Sequence, residues 1–66
     1  MYLVFYRTSD VFEAEELLQK NGIETEIVPT PVQDKAYCGV CVRIGSVDQE
    51  CAAGILLKFD YKVIQN

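Results

Sequence analysis

Tyr2-Leu3-Val4-Phe5-Tyr6 is the stretch on which the fold turns. It is apolar from end to end and rich in aromatic and β-branched residues, so it reads as a strand. Its apolar residues fall at odd and even positions alike. Both faces are therefore covered, which is the mark of a strand in the middle of a sheet. Arg7-Thr8-Ser9-Asp10 ends it. Asp10 and Glu13 have capping-box spacing, with Thr8 or Ser9 as the other available cap, and a helix follows to about Lys20. Val11, Ala14, Leu17 and Leu18 form its apolar side, with Phe12 at the margin. Asn21-Gly22 is a helix stop, because glycine takes the left-handed conformation without steric cost.

Outward from that opening unit, Ile23–Val28 alternates, with Ile23, Thr25 and Ile27 on one side, and predicts a half-exposed edge strand. Val40–Ile44 alternates again, with Val40, Val42 and Ile44 inward. After Gly45, Ser46 and Gln49 have capping-box spacing. Val47, Cys51, Ala52, Ile55, Leu56 and Phe59 then recur at helical spacing, which places Cys51 in the core. Gly54 within that helix costs roughly 1 kcal/mol against alanine and is expected to mark a close packing contact. Tyr61–Ile64 is a last short strand. The order is βαββαβ. Two right-handed crossovers interleaved in one sheet give an α+β, ferredoxin-like sandwich. Its four-stranded antiparallel sheet has order 4-1-3-2, with both helices on one face. The whole chain, residues 1–66, reads as one domain.

A chain of this length buries only about 60% of its unfolded surface, so a homodimer or a partner would add needed stability. Six Lys and Arg stand against ten Asp and Glu, for a net charge of −4. The cations are scattered and make no basic face, which argues against a nucleic-acid partner. No apolar run approaches the roughly 20 residues of a membrane span. Met1–Tyr6 lacks the charge and length of a signal peptide. These features predict a cytoplasmic protein whose three cysteines stay reduced.

The remaining irregular stretch is Pro29-Thr30-Pro31-Val32-Gln33-Asp34-Lys35-Ala36-Tyr37-Cys38-Gly39. In the predicted topology the start of strand 3 lies beside the end of strand 1. Cys38 then sits near the N-terminus of the first helix, where amide groups favour negative charge. With Arg7 and Lys35 in reach, its thiol is expected to have a depressed pKa, and Ser9 is a further supporting residue of the site. Gly39 removes a side chain beside the sulfur, Pro29 and Pro31 stiffen one arm of the loop, and Thr30 offers a hydroxyl. A cysteine at a strand start is also what a small buried hydrophobe looks like, so the residues leave both readings open. The chain has no histidine, which excludes a Cys-His hydrolase.

Cys38-Gly39-Val40-Cys41 has C-x-x-C spacing, but Cys41 falls inside a strand. Three residues along a strand span roughly 10 Å with the side chains on opposite faces, whereas a disulfide needs Cα atoms within about 7 Å. Three cysteines without histidine also fall short of a four-ligand zinc site, so no metal is expected. Arg43 and Cys41 fall on the face away from the helices, with alternate tyrosines of strand 1. That face is either a docking surface or simply solvated.

The opening strand, Ala14-Glu15-Glu16-Leu17-Leu18 with Asn21-Gly22-Ile23, and above all Val28-Pro29-Thr30-Pro31 followed seven residues later by Cys38-Gly39 resemble the small selenium/sulfur carrier protein-like family of bacteria. The resemblance covers nearly the whole chain. It implies that Cys38 carries a persulfide or perselenide, with Gly39 and the Pro29-Thr30-Pro31 arm as its setting. It also implies a non-enzymatic protein without cofactor. Its partners would be a donor, such as a cysteine desulfurase, and an acceptor enzyme. Cys41 is outside that pattern and stands as a candidate second thiol. The rival reading is a regulatory, ligand-binding or oligomerisation module of the same βαββαβ class, in which Cys38 is buried and inert. A structural subunit of a larger enzyme is a third.

Overall fold

A computed structural model describes residues 1–31 and 37–65. The elements are β1 (Tyr2–Phe5), α1 (Thr8–Lys20), β2 (Glu26–Pro29), β3 (Val40–Arg43), a 3₁₀ turn over Ser46–Asp48, α2 (Gln49–Ile55) and β4 (Tyr61–Ile64). The strands form one antiparallel sheet in the order β2-β3-β1-β4, so β1 is central and β2 lies at an edge. This is the predicted α+β, ferredoxin-like arrangement.

The cross-strand register explains the core. Leu3 lies opposite both Val42 and Val63, and Val42 lies opposite Ile27, so one row of apolar side chains crosses all four strands. Val11, Ala14 and Leu18 of α1, with Ala52 of α2 and Leu56 beyond it, pack in the same cluster as Leu3, Phe5 and Val42. Both helices therefore cover one face of the sheet. Phe5 is fully buried between Phe59 (ring centroids 5.9 Å, edge-on) and Tyr61 (5.4 Å). Each such buried side chain contributes about 1.5–3 kcal/mol. Val4 and Cys41, on the other face, are also fully buried. Among the described residues, no helix is long and apolar enough to cross a membrane.

Several local expectations are corrected. Helix α1 begins at Thr8 with Arg7 in the cap position, and no side chain of the Thr8-Ser9-Asp10 run caps it. Phe12 is half exposed, because the buried side runs Val11, Ala14, Leu18. At the other end the Gly22 amide (φ 78°) bonds to the Gln19 carbonyl and the Ile23 amide to that of Leu18, a Schellman closure. That closure uses the Ile23 amide and packs its side chain on the core. Strand β2 accordingly starts at Glu26, three residues later than the alternation suggested.

The second helix is shorter than its apolar spacing implied. Ser46–Asp48 winds as a 3₁₀ turn with three residues per turn, which carries Val47 off the core face to 90% exposure. Ala52, Ile55, Leu56 and Phe59 supply the packing, and Cys51 is left exposed rather than buried. Neither Ser46 nor Asp48 makes a side-chain cap bond. A Cβ on Gly54 would meet nothing within 4 Å, so this glycine marks no close contact.

Candidate functional site

The end of β1, the first turn of α1 and the approach to β3 converge on Cys38. Its amide donates to the Phe5 carbonyl at 2.8 Å, which extends the β1–β3 pairing beyond the ladder and sets Cys38 beside the β1–α1 junction. Its carbonyl accepts from the Thr30 hydroxyl at 2.6 Å. Its Sγ lies 3.1 Å from Thr8 Oγ1, at the first residue of α1. Three polar atoms of one residue are thus held by three different segments. The thiol is half-buried.

Thr30 is the hinge pin of the loop. Besides its hydroxyl bond, its amide donates to the Gly39 carbonyl at 3.0 Å, so the base of the loop is closed just beyond the Pro29–Val40 pair. Pro29 is the last residue of β2, and Pro29 and Pro31 are both exposed. Gly39 has an ordinary φ, and a Cβ built there meets nothing within 4 Å. Neither conformation nor packing among the described residues requires glycine at this position. Lys35 lies outside the described residues.

The charged and hydroxyl groups divide differently from expectation. Arg7 is largely exposed, and its guanidinium pairs with Asp10 at 3.4 Å. Ser9 is exposed in the first turn of α1. Thr8, which the sequence offered only as a helix cap, is the hydroxyl at the sulfur. Its contact is readable only once the helix is known to start at residue 8. The amides of Asp10 and Val11 both return to the Arg7 carbonyl. Those of Thr8 and Ser9 are left without a partner among the described residues. Tyr6 and Tyr37 stack at 5.0 Å beside the site, with Tyr6 half exposed. The neighbouring Tyr37 hydroxyl, through a hydrogen bond first and its charge second, pushes the Tyr6 hydroxyl above its ordinary range.

The three cysteines are separate and free. Cys38 packs against the helix-side core, on the same side as Val40 and Val42. Cys41 falls on the opposite face by strand alternation and is fully buried, whereas Arg43 two residues on is exposed. The expected open face shared by Cys41 and Arg43 is therefore closed over Cys41. Burial pushes the Cys41 thiol up, partly countered by the Thr30 hydroxyl, and its Sγ lies 3.9 Å from the Pro29 carbonyl. This disfavours its thiolate. Among the described residues, no three His, Cys, Asp or Glu side chains gather as a metal site.

The model of a family described as "Putative Se/S carrier protein-like" matches residues 1–65. No curated protein matches the chain. No solved structure matches it either.

Proposed function

This chain belongs to the Se/S carrier protein-like family, and from that premise we propose that Cys38 holds sulfur or selenium as a persulfide or perselenide and passes it between partner proteins. One observation carries the reading. Among the described residues, Cys38 alone of the three cysteines combines a reachable thiol with a hydrogen bond at its sulfur. Cys41 is buried, and Cys51 is exposed without such a contact.

The chemistry is a transfer between thiols. The Cys38 thiolate attacks the terminal sulfur of a donor persulfide, such as that of a cysteine desulfurase. A new S–S bond forms on Cys38 as the donor's S–S bond breaks, and its electron pair leaves with the donor thiolate. Sulfur changes hands without an external oxidant or reductant. An acceptor enzyme then removes the terminal atom by the same displacement. The space at Gly39, open among the described residues, supports close approach of a partner's backbone or sulfur. The amides of Thr8 and Ser9 at the start of α1, without a partner among the described residues, favour the anionic terminal atom. The protein acts as a cytoplasmic carrier with no cofactor and turns over nothing alone.

The test must remove Cys51 first, because its exposure makes it a competing thiol. A Cys51→Ser protein is incubated with a cysteine desulfurase and cysteine, and the persulfide is located by peptide mass spectrometry. Sulfur is expected on Cys38 and is lost completely in the added Cys38→Ser variant. An unmodified Cys38, in a desulfurase reaction that forms alanine and the enzyme's own persulfide normally, would sink the reading and return the chain to the binding-module class.

A further inference from the structure

We propose that Thr8 is the positioning residue of the carrier sulfur: its hydroxyl donates to the Cys38 thiolate and holds that sulfur in one rotamer against the first turn of α1. The inference rests on the carrier reading of Cys38 and adds a residue to it.

The geometry singles out Thr8 among the polar residues at the β1–α1 junction. Arg7 is engaged with Asp10, and Thr8 and Ser9 are both exposed, but among the described residues only Thr8 contacts the sulfur. Thr8 Oγ1 lies 3.1 Å from Cys38 Sγ across thirty residues of sequence. It does not cap the helix, since Arg7 occupies the cap position and no side-chain cap bond forms. The hydroxyl is therefore committed to a tertiary contact rather than to local structure. Threonine suits that task because its β-branch restricts χ1 in a helix to two rotamers, so the hydroxyl is aimed with little freedom to lose.

The backbone of Cys38 is already fixed at both ends, by the Phe5 carbonyl on its amide and the Thr30 hydroxyl on its carbonyl. The one freedom left at this residue is rotation about its own Cα–Cβ bond. The Thr8 contact acts on that freedom. During transfer Thr8 forms and breaks no covalent bond and keeps its proton. It donates a hydrogen bond to the attacking sulfur, and the entering sulfur or selenium bonds on the side of Cys38 turned away from it.

The experiment compares Thr8→Val, Thr8→Ala and Thr8→Ser in the Cys51→Ser background. It reads the rate at which cysteine persulfide loads Cys38 and the rate of alkylation by iodoacetamide, both at fixed pH. Thermal melts check that each variant is folded. Thr8→Val and Thr8→Ala are expected to slow both reactions about fivefold, the scale of one net hydrogen bond. Thr8→Ser is expected to restore the rates to within about twofold, since it returns the hydroxyl without the methyl group. Parental rates in the two hydroxyl-free variants would overturn the role of Thr8 and leave Cys38 as the carrier. Equal slowing in all three variants would assign the effect to packing and also overturn it. If Cys38 of the Thr8-intact protein takes no sulfur from cysteine persulfide, the carrier reading itself fails, and alkylation still reports whether Thr8 governs the thiol.

Discussion

Cys38 and Cys51 are both reachable thiols, yet their surroundings have little in common. Cys38 stands where β1, α1 and β3 meet, with its amide, carbonyl and sulfur each held by a separate segment. Cys51 rides on the seven-residue α2, beside an open groove of about 480 Å³ that also involves Gly22, Ile23 and Gly54. More exposure comes with less definition. A thiol becomes reachable by lying at the surface, but it becomes aimed only when long-range contacts fix the residue that bears it.

The sharpest way to break this comparison is to disturb what lies behind each cysteine. Phe5→Ala removes a fully buried ring whose backbone carbonyl holds Cys38, at an expected cost of about 3–5 kcal/mol. Chains of this size have a total stability near 0.05–0.15 kcal/mol per residue, so this variant is expected to lose about a third or more of it. Cys51→Ser should stay within about 0.5 kcal/mol of the parent, as exposed substitutions do. Urea denaturation measures both, and comparable losses would erase the distinction between the two regions.

A smaller change separates the loop from the fold. Thr30→Val keeps the shape of the side chain and deletes the hydroxyl that bonds the Cys38 carbonyl, for an expected loss of about 1 kcal/mol. Amide exchange at Cys38 and Gly39 should rise while that of α2 stays as it was. A uniform rise across the chain would mean that Thr30 supports the whole fold and has no special tie to the cysteine.

The smallest effect concerns Cys41, whose thiol is raised by burial in the folded state. The contribution of that neutral thiol is whole below the ordinary thiol range and is lost as pH climbs through the raised folded value. Cys41→Ala should therefore flatten the alkaline decline in stability. Urea midpoints across a pH series show it, and an unchanged decline would place the titration elsewhere.

Much of this architecture was legible in the amino-acid order. Tyr2–Tyr6 reads as central because it is apolar on both faces, and Val40 and Val42 declare their side by strict alternation. Topology alone then brings Cys38 to the start of α1. The errors lie where one local geometry displaced another. Ile23 alternates like a strand residue, but its amide is used in closing α1. Val47 and Cys51 have helical spacing, but a 3₁₀ turn shifts the first and the choice of Ala52 and Leu56 as packing residues exposes the second. Thr8 was hidden for a different reason. A threonine before a helix reads as a cap, and nothing along the chain records that its hydroxyl faces a sulfur thirty positions away.

The two hydrogen bonds that Thr30 donates, one to the Cys38 carbonyl and one to the Gly39 carbonyl, have a consequence for how such chains can diverge. They tie off the loop at its base, so the number of residues between the two ends is uncoupled from the placement of the sulfur. Doubling the length of a flexible loop costs only about 0.6 kcal/mol. The contacts at the described ends hold Cys38 on their own, so a change in the number of residues between Pro31 and Tyr37 is expected to leave the cysteine where it is.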